Sequence, residues 1–258
     1  DTSQCLVIMK LLRLCRNLRK DVEKKIAFPL IQHKLSQLDS LKEFHNDLIR
    51  CIDDEGNIKE NATPELKQAI REIETARTKL EEKIRKLFSS TTIKEALQDS
   101  YITERQERLV IPVRSEFKSK VDGIVHDISG TGQTLFIEPA SVVPLNNQLK
   151  IARLKVAKEK AAILQFLSMQ TNKYREPLQS NMENLATLDL IYARARLAKT
   201  MDAVKCPMNQ QFKMQLKEAR NPELTLDGET VVPNTIEWKE STKVVIISGP
   251  NTGGKTVT

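Results

Sequence analysis

Apolar residues return at steps of three and four along one stretch of the chain: Leu66, Ile70, Ile73, Ala76, Leu80, Ile84 and Leu87. That spacing places them on one face of an α-helix. The start of the helix is written just upstream. Thr63 offers a capping hydroxyl, Pro64 suits the first helical position, and Glu65 complements the positive end of the helix dipole. About 25 residues at 1.5 Å each make a rod of roughly 37 Å, which reads as a strut or one half of a coiled coil. Residues 4–50 carry a similar helical pattern, with turns expected near Pro29 and around residues 53–57.

The period changes at Tyr101. "RLVIPVRSEF" carries β-branched residues around Pro112, and two strand-like runs, 124–128 and 134–137, flank a Gly-Thr-Gly turn. Residues 101–143 are therefore expected to form a small antiparallel β module. Proline cannot donate to a sheet ladder, so the run containing Pro112 is expected at an edge or a bulge. Helical patterning then resumes from Pro144 to about Val204.

The predicted fold is mostly α. A helical region at 1–100 runs out, the β module at 101–143 sits at the turn, and helices at 144–211 run back, like a lever with a small domain at its tip. Residues 212–258 differ again, with turn chemistry at Asn221 and Pro222, then "TVVPNTIEW", then "KVVIIS". The last run is expected to be a buried parallel-type strand opening an α/β domain.

Composition narrows the partners. Lys and Arg total 41 against 34 Asp and Glu, a formal charge of +7, which makes a polyanion a reasonable partner. The most lopsided stretch holds Lys150, Arg153, Lys155, Lys158, Lys160, Lys173 and Arg175 against Glu159 alone. Two readings stay open for it: a solvated helix face, or a phosphate-facing stripe in which Lys150, Arg153, Lys155 and Lys158 contact nucleic acid. Cys5, Cys15, Cys51 and Cys206 form no C-x-x-C pair and are read as reduced core thiols, which points to a cytoplasmic setting. His33, His45 and His126 are scattered and read as surface or packing residues. The apolar run from Cys5 to Met9 is far too short for a membrane span. Asp1 stands where an initiator methionine would, so the chain is expected to be a piece of a longer one.

The clearest chemistry lies at residues 249–256, "GPNTGGKT", which match G-x-x-x-x-G-K-[ST] at every specified position. Gly249, Gly253 and Gly254 let backbone N–H groups close around phosphates without Cβ clashes, with Asn251 in the same loop. Lys255 supplies a flexible point charge for the phosphates, and the Thr256 hydroxyl suits Mg²⁺. The cofactors this implies are ATP and Mg²⁺. Hydrolysis also requires a second acidic strand end and a group that positions water. Asp189 in "LATLDLI" lies inside a helical pattern and is read as an ordinary helix residue. No catalytic residue is assigned, and the chain by itself is expected not to hydrolyse ATP.

"VVPNTIEW" followed by "VVIISGPNTGGKTVT" resembles the opening of the ATPase domain of the MutS family. "RLVIPVRSEFKSKVDGIVHDISGTGQTLFIEPASVVPLNN" and "CIDDEGNIKENATPELKQAIREI" resemble its type-two branch, the bacterial endonuclease paralogue, from about residue 45 onward. The resemblance implies a homodimeric, DNA-associated ATPase with composite sites, lever helices and a clamp. It also implies a role in suppressing recombination or rescuing collided ribosomes, with rRNA as a partner, and a nuclease domain elsewhere in the parent. Gly249, Gly254, Lys255 and Thr256 match the family's phosphate and Mg²⁺ positions. Two positions depart: Arg220-Asn221-Pro222 replaces the usual Arg-His-Pro, and Val231 stands where the mismatch-recognising branch often has an aromatic residue. The alternative functional reading is a helical scaffold that binds nucleic acid or a partner helix without using nucleotide. A coiled-coil P-loop protein of the chromosome-organising kind would share the struts and the loop, but not the "TLFIEP" module.

Overall fold

The computed structural model describes residues 1–22, 28–211, 213–228, 230–246 and 248. The chain divides into two compact units, Asp1–Asn181 and Met182–Thr258.

In the first unit, α1 (Thr2–Val22), α2 (Pro29–Ser36) and α3 (Lys42–Cys51) precede the long helix α4 (Pro64–Phe88). The turn between α3 and α4 is organised by Asp53, whose carboxylate accepts from the N–H groups of Glu55 and Asn57 at 2.9 and 2.8 Å. Those bonds, above all the one from Asn57, hold its carboxyl below the usual carboxylate range. Gly56 takes a φ of +89° in the same turn, a conformation that costs glycine little. Helix α4 starts as its sequence requires: Thr63 Oγ1 accepts from the Leu66 N–H at 3.1 Å, with Pro64 in the first turn. A short helix α5 (Thr91–Ala96) then leads into the sheet.

Strands β1 (Thr103–Arg105), β2 (Arg108–Arg114), β3 (Gly123–Ile128) and β4 (Thr134–Pro139) pair antiparallel in the order β1-β2-β4-β3. Pro112 therefore stands in an inner strand, not at the sheet's edge as the proline alone suggests. The ladder explains why. Ile111 faces Ile137 and Pro112 faces Phe136 on β4, while pairing with β1 ends at Val110. The Pro112 carbonyl accepts from the Gln98 N–H at 3.0 Å, on the side away from β4. N–H and C=O of one strand residue point the same way, so the missing donor lies on that same side and no β2–β4 bond is lost. Gly123 begins β3 so close to β4 that a Cβ would collide with the Glu138 carbonyl oxygen.

Helix α6 (Val143–Lys173) returns alongside α4, and α7 (Arg175–Thr200) follows after a break at Tyr174. Two apolar cores lie along the α4–α6 pair. The N-terminal part of α4 (Leu66) joins the C-terminal part of α6 (Ile163, Leu167), with Met9 and Leu12 of α1, Phe44 and Leu48 of α3, and Leu178. The C-terminal part of α4 (Leu80, Ile84) joins the start of α6 (Leu149), with Leu109, Ile111 and Val113 of β2 and Leu135 and Ile137 of β4. The two helices are thus antiparallel, and each links both cores. A fully buried Leu or Ile is worth roughly 1.5–3 kcal/mol over an exposed one, so each end of the strut pair is anchored by several such side chains.

The second unit contains the rest of α7, a two-stranded antiparallel pair of β5 (Met214–Ala219) and β6 (Asn234–Trp238), and a short helix α8 (Pro222–Leu226) between them. Asn221 caps α8, its side-chain oxygen accepting from the Glu223 and Leu224 N–H groups at 2.9 and 3.2 Å. The observed architecture is mostly α, with long helices and one small antiparallel module. In the described residues of "KVVIIS" the expected buried strand is not formed: Val244, Val245 and Ile246 pair with no strand and are 74, 51 and 85 % exposed. A parallel strand is stable only with neighbouring strands and covered faces, and these residues have neither.

Candidate nucleotide and nucleic-acid sites

The phosphate loop, with Gly249, Asn251, Gly253, Gly254, Lys255 and Thr256, lies outside the described residues. What it offers is its donor set: glycine backbone N–H groups, one lysine and one hydroxyl in the right order, which suits a nucleotide's phosphates and Mg²⁺.

The four basic residues of α6 are well described, and they do not form one stripe. At 100° per residue, Lys150, Arg153, Lys155 and Lys158 spread over about 200° of the helix circumference. Two of them are engaged within the chain. The Arg153 guanidinium grips Glu104 of β1 with both of its terminal nitrogens, at 2.8 and 3.1 Å, and also donates to the Glu107 carbonyl at 3.1 Å. This fork holds the Glu104 carboxyl below the usual carboxylate range. Lys155 Nζ meets Glu72 of α4 at 2.7 Å and lowers that carboxyl too. Arg153 thus ties α6 to the β1–β2 turn, where Gln106 and Glu107 both adopt positive φ, 51° and 63°. Lys150 and Lys158 are exposed and pair with no carboxylate among the described residues.

A polar cluster inside the sheet was not visible in the sequence. Glu138 of β4 is fully buried, yet its Oε1 accepts from Arg108 at 2.7 Å and its Oε2 from His126 Nε2 at 2.7 Å. A carboxylate oxygen only accepts, so the histidine tautomer with its proton on Nε2 is the one that fits. Arg108 also donates to Asn147 at 2.8 Å. His126 is the extra residue of a β-bulge, since Val125 faces Ile137 while Asp127 faces Phe136. The bulge turns its side chain toward Glu138. Arg105 crosses the same face, its guanidinium 4.3 Å from the Phe136 ring centre and its Nε 3.0 Å from Asp127. Strand alternation in "TLFIEP" does place Glu138 with Phe136 on one face. Its partner Arg108, however, is 30 positions away.

His45 and three of the four cysteines behave as packing groups. His45 is buried, and burial, followed by the nearby Arg16 and Arg13 charges, lowers its pKa. Cys5, Cys15 and Cys51 are buried and their thiols pushed up by it, whereas Cys206 is exposed and so is not the core thiol expected. Asp189 is an exposed residue of α7. Among the described residues no cluster could hold a metal ion, and no helix is long and apolar enough to cross a membrane.

No family model matches the chain. Individual relatives do. It is 40 % identical over 236 residues to an Endonuclease MutS2 of a Geobacillus species and 39 % identical over 236 residues to the Endonuclease MutS2 of Bacillus velezensis. Each alignment takes in 92 % of this chain and 30 % of the relative. The Endonuclease MutS2 of Alkaliphilus oremlandii is 36 % identical over 261 residues, which is 100 % of this chain and 33 % of that protein. The chain thus spans about a third of the length of the curated relatives it matches. Over the segment that it spans, the chain belongs to the MutS2 family.

Proposed function

We propose that this segment is the frame of a DNA-acting, MutS-like ATPase, in which ATP and Mg²⁺ at residues 249–256 are coupled to lever helices and a clamp-like sheet. The observation that carries the reading is the complete phosphate-loop motif in a chain related throughout to proteins named as endonucleases. Lys255 would neutralise phosphate charge, Thr256 would ligate Mg²⁺, and the glycines would bring backbone N–H groups onto the phosphates. Bound ATP supplies the charge that such a loop organises around. The antiparallel α4–α6 pair suits a lever because each helix is packed into both cores, so a displacement at one end is carried rigidly to the other. Duplex or branched DNA, homodimerisation, a role at ribosomes through rRNA and a cytoplasmic location belong to the same proposal.

In the full-length protein, Lys255→Ala is expected to lower ATP turnover on the order of a hundredfold or more, as losing a preorganised charge at a reacting phosphate does. Magnesium-dependent turnover that survives the substitution would exclude this loop as the nucleotide site. DNA binding is tested through its salt dependence. Lys150→Gln and Lys158→Gln should each reduce the log–log salt slope by about 1. Arg153→Gln should instead lower stability, since its fork holds Glu104. A salt slope that neither lysine alters leaves α6 a solvated face and favours the scaffold reading.

A further inference from the structure

Helix α6 carries apolar residues on two opposite sides. Leu149, Ile163 and Leu167 are buried in the two cores. At 100° per residue, Ile151, Leu154 and Met169 lie roughly 180° round the helix from them, and they are 56, 60 and 59 % exposed. Ala161 and Ala162, both exposed, share this outer face, which runs from Ile151 to Met169, about 27 Å, and is interrupted by Lys158 and Gln165. A single exposed leucine needs no explanation, but a helix with a second apolar face is suited to a second packing partner.

Beside Ile151 the outer face opens into a groove between α4 and α6, a space of about 400 Å³. Ala76 and Ala152 line it, small enough to let another helix come close, and Ile151 forms one wall. The charged residues along it are Arg71, Glu72 and Lys79 from α4 and Lys155 from α6. Glu72 is already neutralised by Lys155 at 2.7 Å. Arg71 and Lys79 are exposed and pair with no carboxylate among the described residues, and the same holds for Lys158 further along α6. The surface is thus apolar along its middle and positive at its edges.

These features select the occupant. A phosphate backbone would use Lys79 and Lys158 but gains nothing from Ile151, Leu154 and Met169, since nucleic-acid interfaces are more polar than protein ones. A second copy of the chain is a poor match in charge. Its formal charge is +7, and among the described residues no helix of eight or more residues has more acidic than basic side chains. The complementary shape and charge belong to a helix with an apolar seam and carboxylates beside it.

We propose that the outer face of α6, with its groove against α4, is a docking site for an acidic amphipathic helix of another protein. Ile151, Leu154 and Met169 meet the apolar seam of that helix, and Arg71, Lys79 and Lys158 meet its flanking carboxylates. The probe is a fluorescein-labelled peptide of about three heptads with Leu at a and d and Glu at e and g, titrated with the full-length protein and followed by fluorescence anisotropy. It should bind with a Kd of about 10 μM or tighter, and the same peptide with Lys in place of Glu should bind at least about tenfold more weakly. Ile151→Ser with Leu154→Ser, both at exposed positions, should weaken the acidic peptide about tenfold or more, whereas Val7→Ser, at a position of α1 that is 66 % exposed, should leave it unaltered. Lys79→Glu with Lys158→Glu should reverse the preference between the two peptides, which a merely adhesive surface would not do. No binding, or binding that follows the lysines but ignores Ile151→Ser with Leu154→Ser as a phosphate-facing stripe would, overturns the proposal. So does a fall in oligomeric mass, by light scattering, when that pair of apolar residues is substituted, because the face would then belong to a second copy.

Discussion

Glu138→Ala is expected to cost the first unit about 3–5 kcal/mol of folding stability, the range found when one partner of a buried ion pair is removed. Glu138 is completely buried and receives both Arg108 and His126. Truncation takes away the counter-charge but not the guanidinium, whose side chain is only 20 % exposed and cannot turn freely into water. The cost is thus mainly that of leaving a charge uncompensated, not the net worth of the pair. The control follows from the same physics: Glu138→Leu together with Arg108→Leu removes the stranded charge and should recover a large part of the loss. Urea unfolding followed by far-UV circular dichroism measures both. A single substitution costing under about 1 kcal/mol, the range of an exposed pair, would show that the cluster is solvated and that this account of it is wrong.

Asn146→Ala should cost roughly 2–6 kcal/mol, from two backbone groups left unpaired at about 1–3 kcal/mol each. Asn146, in the first turns of α6, is 1 % exposed; its oxygen accepts from the Leu109 N–H and its amide donates to the Leu109 carbonyl, both at 3.0 Å. The ladder shows why β2 needs this. Continuing the β2–β4 register from Ile111 opposite Ile137 would bring Leu109 opposite Pro139, which has no N–H to give. The asparagine amide supplies the donor and acceptor that a strand would have supplied, and so fastens α6 to the sheet. Asn146→Asp keeps the size and the acceptor but loses the donor, so it should fall measurably below the parent too. Amide exchange at Leu109 provides a direct reading: its protection should drop by more than that of Val113, which lies deeper in the β2–β4 ladder. Equal loss at both positions would mean global destabilisation and not a local clamp.

The two asparagine clamps have a common logic. Asn181 does for the Asp39 backbone what Asn146 does for Leu109, across 142 positions of sequence in the one case and 37 in the other. In both, a helix is docked by one planar amide that reads both polar groups of a single residue. Neither asparagine stands out in the sequence, where Asn is ordinarily a turn or cap residue, as Asn221 is.

The cationic run on α6 was legible only in part. Its charge excess is real, but two of its members are committed to Glu104 and Glu72 across 49 and 83 positions. Helical geometry alone could have shown that the four do not share a face. Which carboxylates come within reach depends on how α4 and the β1–β2 turn pack against α6. The phosphate loop is the reverse case: its residue types and spacing are complete in the sequence, while its placement lies outside the described residues.

Sequence by itself determined whatever acts over a few residues: the Thr63-Pro64 start and apolar face of α4, the Gly-Thr-Gly hairpin between β3 and β4, the turn at Gly56, the mostly α character and the phosphate-loop motif. Capping, φ preference and side-chain periodicity are local forces, and their signatures are local. Only the tertiary structure decided that Pro112 sits in an inner strand, that "KVVIIS" forms no strand in its described residues, that Arg153 and Lys155 are tied down while Lys150 and Lys158 pair with no carboxylate among the described residues, and that Glu138 finds Arg108 and His126. Each of these depends on which distant group fills the other half of a hydrogen bond or covers an exposed face. A buried charge or a missing donor is tolerated only where packing brings its complement to within about 3 Å, and no pattern along the chain records that meeting.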